Sequence, residues 1–144
     1  MVVAGFLCLM SGVVESSAQE SEDAAVLLIL DGSGSMNRTD DNGVVLIDGA
    51  KGALTRLIGG LPDGSQVGLM VYGHRVPNDD RANGCRDTEL VVPVGPLDRQ
   101  GLLDAVDGVE AKGFTPIGQS LEQASAALPD GRGTVILVSD GEDT

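Results

Sequence analysis

Tryptophan is absent from this 144-residue chain, and Phe6, Tyr72 and Phe114 are its only aromatic side chains. Recognition of bases or sugars by stacking needs several aromatic faces, so that class of partner is excluded. Cations are scarce too: nine Lys and Arg stand against 22 Asp and Glu, for a formal net charge of −13. Without a basic stripe, nucleic acid and anionic membrane surfaces are poor partners. His74 is the only histidine, so a zinc hydrolase site has no support. No Walker-type phosphate loop and no nucleophile elbow occurs, which leaves a nominal Ser33, His74 and Asp grouping without a motif behind it.

Long apolar runs are also missing. Val2 to Val14 is the most apolar stretch, and it falls short of the roughly 20 residues that span a bilayer, so no stable membrane span is expected. With Ser16-Ser17-Ala18 behind it, the segment resembles a secretory signal peptide, residues 1–18, cut after Ala18. It lacks the Lys or Arg that usually opens one. Cys8 follows Leu7, unlike a lipoprotein attachment site. The chain is therefore expected to be exported, to a periplasm or beyond the cell. Residues 19–23 read as an acidic linker and 24–144 as one domain.

What the chain does have is aliphatic content, which carries most of its 42% hydrophobic residues and suffices for a core. Four continuous apolar runs, Ala24–Leu30, Val67–Tyr72, Glu89–Val92 and Thr134–Val138, read as strands covered on both faces. Between them, Leu46, Ala50, Ala53, Leu54, Leu57 and Ile58 share one helical face, ended by Gly59-Gly60. Ile117, Leu121, Ala124 and Leu128 repeat that spacing and close at Pro129-Asp130-Gly131. A shorter helix is expected from the N-cap Asp98 to about Val106. Strand–helix alternation with right-handed crossovers implies an α/β fold, a doubly wound and mainly parallel sheet with helices on both faces.

Asp31-Gly-Ser-Gly-Ser35 follows directly on the first strand. Lacking Cβ, Gly32 and Gly34 let the backbone curl and gather Asp31, Ser33 and Ser35 around one point. A carboxylate with two hydroxyls is a hard-oxygen set suited to Mg²⁺ or Mn²⁺. The loop also begins like an EF-hand, but Met36 and Asn42 stand where that motif needs Gly and Glu. Two further pieces complete the pattern: Thr115 in Gly113-Phe-Thr-Pro-Ile-Gly118, just before a helix, and Asp140 in Val138-Ser-Asp-Gly141, at the end of a strand.

In this order the three motifs resemble the metal-ion-dependent adhesion site of von Willebrand factor A-type (VWA) domains, and the resemblance spans Ala24 to Thr144. It implies a Rossmann-like sheet ordered 3-2-1-4 with an antiparallel third strand, continued by two final strands that this sequence lacks. It implies as metal residues Asp31, Ser33, Ser35, Thr115 and Asp140, the three hydroxyls touching the ion and the two aspartates acting largely through water. Mg²⁺, Mn²⁺ or Ca²⁺ would serve. One position stays open to an Asp or Glu of a partner protein. In exported bacterial VWA proteins a disulfide joins a cysteine like Cys85 to one shortly after the Ser-Asp-Gly motif. Cys85 is either such a half or an inert small residue.

Two features keep alternative readings. His74 either approaches the metal-bearing face or is an ordinary loop residue. Asn78 to Asp87 is either a solvated excursion or a specificity loop beside the metal. The expected function is a divalent-metal-dependent protein-binding module without enzymatic activity. The alternatives are an accessory subunit of an ATPase-driven machine, such as a metal chelatase, and a non-functional truncated fragment. The first needs a cytoplasmic address, against which residues 1–18 argue. The second would leave Thr134–Val138 as an exposed edge prone to self-association.

Overall fold

The computed structural model describes residues 25–141, so the signal-peptide and linker readings lie outside the described residues. Four strands form one sheet in the order β3-β2-β1-β4. The central strand β1 (Val26–Asp31) pairs in parallel with β2 (Gln66–Tyr72) and with β4 (Thr134–Val138). At the far edge, β3 (Thr88–Pro96) runs antiparallel to β2. The expected doubly wound arrangement and strand order are therefore observed.

Alternation along β1 explains why it is apolar throughout. Leu28 and Leu30 pack on one face with Ile47, Ala50, Leu54 and Ile58 of α1 (Leu46–Gly60) and with Leu102 and Val106 of α3 (Arg99–Asp107). Leu27 and Ile29 pack on the other with Ala124 of α4 (Ile117–Ala127) and with Leu128. Both faces are dry, so every β1 side chain adds burial, about 1.5–3 kcal/mol for each leucine or isoleucine.

Element ends match the sequence expectation in some places and differ in others. The first helix ends on Gly59-Gly60 as expected, with the extended Leu61 as its C-cap before Pro62. The proline ring disfavours helical geometry at the preceding residue and adds to the weak helix propensity of the two glycines. Strand β3 continues past Val92 through Pro93 to Pro96. An edge strand tolerates proline, because the side facing solvent forms no ladder. Asp98 caps α3 as expected, accepting from the Gly101 N–H at 3.1 Å. Two short elements went unforeseen, a 3-10 turn at Gly34–Asn37 and the one-turn helix α2 (Arg81–Gly84).

Because β1 and β4 are parallel neighbours, with Leu30 opposite Val138, both strands release their chains at the same end of the sheet. Helix α1, which follows β1, and helix α4, which precedes β4, cover opposite faces. The chain therefore diverges at this point and opens a crevice, the usual ligand position in such sheets.

Candidate metal centre

The Asp31–Ser35 loop leaves β1 inside that crevice and is stitched to its neighbours by main-chain bonds. Gly32 N–H donates to the Tyr72 carbonyl at 2.8 Å, and Gly34 N–H to the Gly113 carbonyl at 2.8 Å. In return, Lys112 N–H reaches the Gly32 carbonyl at 2.8 Å and Gly113 N–H the Gly73 carbonyl at 2.7 Å. Three loops, after β1, after β2 and before α4, are thus held as one layer. The glycines serve this closeness rather than unusual curvature. Neither Gly32 nor Gly34 has a positive φ, whereas Gly73 does, at 68°. A Cβ on Gly32 would lie 2.8 Å from the Tyr72 carbonyl oxygen and from His74 Cβ. The sequence reading of a tight curl is corrected to a tight fit.

The carboxylate of Asp31 is fully buried, at 0% exposure. One oxygen accepts the Ser33 N–H at 2.8 Å and the other the Ser139 hydroxyl at 2.7 Å. Its rotamer is therefore held from both sides. The Ser33 and Ser35 hydroxyls lie 3.0 Å apart. Asp140 has a side chain 6% exposed, and its Oδ2 accepts from the Arg38 guanidinium at 2.9 Å. Its Oδ1 is buried with no hydrogen-bond partner among the described residues. Thr115 is buried two residues beyond the Gly113 anchor, and its carbonyl accepts the Ile117 N–H at the start of α4. Side-chain bonds thus link Asp31 to Ser139, the neighbour of Asp140, and Ser33 to Ser35. Main-chain bonds bring the Thr115 loop alongside.

Tyr72, opposite Asp31 in the register, carries a buried hydroxyl near Ser139 and Asp31 that makes no well-formed hydrogen bond among the described residues. Burial holds its proton far above the usual phenol range, opposed by the Ser139 hydroxyl and reinforced by the Asp31 and Asp140 charges. It remains a neutral phenol. Of the two nearly buried carboxylates, Asp140 alone is paired with a guanidinium, and one of its oxygens has no donor among the described residues. That arrangement leaves negative charge uncompensated, which fits a cation held by oxygen. Among the described residues no three His, Cys, Asp or Glu side chains converge, so the remaining donors of such a site are hydroxyls.

The loop after β2 answers one open question. Asn78 lies against Gly34, Gly84 lies under the Phe114 ring, and the Arg81 guanidinium sits 5.8 Å from that ring's centre. Residues 76–87 are therefore both solvated outside and packed on the candidate site inside. Asp87 anchors them: its carboxylate accepts from Arg75 N–H at 2.8 Å, Val76 N–H at 3.0 Å and Arg75 Nε at 2.7 Å. His74 Nε2 lies 3.1 Å from Glu89 Oε2, while Nδ1 is buried without a partner among the described residues. Burial pushes the His74 pKa down, against the Asp87 and Glu89 charges that favour the protonated ring. Sequence reasoning passed over Ser139, Asp87 and Arg38. Ser139 sat in view inside the Ser-Asp-Gly motif, and Arg38 was one of only nine basic residues. Cys85 has no disulfide partner among the described residues.

Fold and site together define a doubly wound α/β domain with an oxygen-rich loop layer at the carboxyl ends of its parallel strands. Residues 26–142 match the von Willebrand factor type A domain, and the chain belongs to that family, whose members often act as protein-interaction modules. Two curated relatives come from Bacillus subtilis (strain 168). The uncharacterized protein YwmC is 28% identical over 136 residues, covering 90% of this chain and 60% of its own length. The uncharacterized protein YwmD is 29% identical over 153 residues, covering all of this chain and 68% of its own. The chain thus spans about three fifths to two thirds of these relatives. A solved structure, an aerotolerance-related membrane protein from Bacteroides fragilis NCTC 9343 with multiple mutations to serines, superposes with a TM-score of 0.64 at 21% identity. The match covers 83% of this chain and 55% of that one, and it shows a shared fold. Among the described residues no helix is long and apolar enough to cross a membrane.

Proposed function

We propose that this chain is a divalent-metal-dependent protein-binding module, without enzymatic activity, that captures an Asp or Glu of a partner protein. One observation carries the reading: two hydroxyls, Ser33 and Ser35, stand 3.0 Å apart beside buried carboxylates that lack a full complement of positive charge. Neighbouring ligands of an octahedral ion bound at 2.0–2.1 Å stand about 2.9 Å apart, so the hydroxyl pair suits Mg²⁺ and the similar Mn²⁺. Ca²⁺, with more ligands at longer bonds, accommodates a similar spacing.

Ser33, Ser35 and Thr115 would hold the ion through neutral oxygens, with Asp31 and Asp140 supplying charge behind them. Bound there, a divalent ion would offer a partner carboxylate a positive centre that few neighbouring anions have neutralised. Asp31, tied to Ser33 N–H and the Ser139 hydroxyl, keeps the loop in shape whether or not an ion is present. Residues 76–87, packed against the same loops, would touch the partner beside the metal and select it. Residues 1–18 support export, and the site would then meet the millimolar divalent cations outside the cytoplasm.

Thermal unfolding of the chain in EDTA, then in millimolar Mg²⁺ or Mn²⁺, tests this. An ion that binds only the folded state raises the midpoint, by about 2.7 kcal/mol of stability at a hundredfold excess over Kd. The rise should vanish in a Ser33→Ala, Ser35→Ala double variant, which removes two ligands and leaves Asp31 in place. A cooperative transition indifferent to metal in the wild type would sink the proposal while leaving the fold intact.

A further inference from the structure

Arg38 stands out in a chain so short of cations. Its backbone is fixed on both sides: its N–H donates to the Ser35 carbonyl at 2.9 Å, and its carbonyl accepts the Leu46 N–H at 2.9 Å. From this anchor the side chain reaches back over the Ser35 residue, with Nε 3.3 Å from the Ser35 carbonyl and the guanidinium 2.9 Å from Asp140 Oδ2. The two partners are unequal. The arginine is 56% exposed and the carboxylate 6%. An arginine whose only task was to stabilise the fold would gain little from so exposed a position. It sits instead where it neutralises Asp140, the site aspartate with an unpartnered oxygen among the described residues.

We propose that Arg38 is a tethered cation of the metal centre, a guanidinium that holds Asp140 when no divalent ion is bound and that competes with the ion for it. The inference rests on the metal-binding reading above. Its physical basis is like-charge repulsion. An ion drawn to the Asp140 carboxylate meets a positive group already within ion-pair distance, so either the guanidinium swings out into solvent or the affinity falls. The exposed side of Arg38 gives it room to swing, and its fixed backbone keeps it close enough to return. The consequence is a site that binds its ion more weakly than the same oxygens would without Arg38. Affinity is thereby set by a residue that contributes no ligand.

The test is a Mn²⁺ titration of the full chain at low ionic strength, followed by the free-ion electron paramagnetic resonance signal. Wild type is compared with Arg38→Gln, Arg38→Ala and Arg132→Ala. Arg132 lies just before the opposite end of β4, so its replacement changes net charge equally without touching the site. Both Arg38 variants should bind about threefold to tenfold more tightly, and Arg132→Ala should match wild type. Binding by the variants alone would support the proposal in its strongest form. Wild-type binding with equal or weaker binding in the Arg38 variants would overturn this inference alone and make Arg38 a positioning residue for Asp140. Binding by none of the proteins would overturn the metal reading and this inference with it. A readout without substitution guards against misfolding: the Arg38 Nε–H resonance in the wild type should move on Mg²⁺ addition, while that of Arg75, paired with buried Asp87, stays. A static Arg38 signal under saturating ion refutes the competition.

Discussion

Replacing Asp87 with alanine removes the anchor of the loop that lies over the candidate site. The carboxylate is 0% exposed and accepts two main-chain N–H groups, from Arg75 and Val76, besides the Arg75 side chain. In the Asp87→Ala protein those two part-buried amides lose their acceptor. Each such loss costs about 1–3 kcal/mol. Arg75 is 47% exposed, so its guanidinium returns to water and adds little. The sum is roughly 2–6 kcal/mol, which lowers the melting midpoint by about 6–24 °C in a domain of this size. The effect carries a pH signature. Burial raises the Asp87 pKa, but the Val76 and Arg75 amides and the guanidinium outweigh it and leave the carboxyl below its ordinary 3.8. A depressed folded-state pKa means that the contribution is fully present above the ordinary aspartate range and fades as pH falls through the lower folded value. Wild type and variant should therefore differ by a constant amount above about pH 7, where His74 is neutral in both, and the Asp87 contribution should fade only below about pH 4. Urea unfolding across that range measures the gap. A difference under about 1 kcal/mol at neutral pH would refute the claim that this buried charge holds the loop.

Two glycines should respond to alanine with opposite signs. A Cβ at Gly113 would collide with the Val76 carbonyl and crowd the Gly73 carbonyl oxygen at 3.1 Å, both of them backbone, so Gly113→Ala should lose about 1–3 kcal/mol by denaturant midpoint. Gly59 lies in α1 with open space around it, and Gly59→Ala should gain about 0.5–1 kcal/mol. His74 is expected to weaken the fold as the solution is acidified. Its folded pKa lies below 6.5, so between that lower value and 6.5 the unfolded chain binds the extra proton and stability falls with pH. His74→Gln should lose less stability than wild type between about pH 7.5 and pH 5, and equal losses would show the burial argument to be wrong.

Periodicity and glycine spacing made much of this protein legible before any fold was in hand. Strand β1 could be read because a strand buried on both faces is apolar at every position. The cores of α1 and α4 could be read because one face of each repeats at helical spacing. Asp31, Ser33, Ser35, Thr115 and Asp140 could be nominated because side chains that gather from three loops each sit in a short motif of their own. Where local chemistry was decisive the reading fell short, as at Pro93, which an edge strand admits.

Other features depend on which loops meet, and no local pattern encodes that. Arg38 reaches Asp140 across 102 positions of sequence, and Ser139 reaches Asp31 across 108. Gly32 is needed because the Tyr72 carbonyl and His74 stand beside it, not because of its own backbone angles. Asp87 is an unremarkable acid in a polar stretch until Arg75 and Val76 turn their amides toward it in a buried place. Residue type and spacing follow from the chain's own helical and strand periods, so the sequence by itself determined the class of fold and which oxygen-bearing residues to nominate. Burial and charge pairing arise only when distant segments exclude water together, so the tertiary structure alone decided which of those donors are held, compensated or left free.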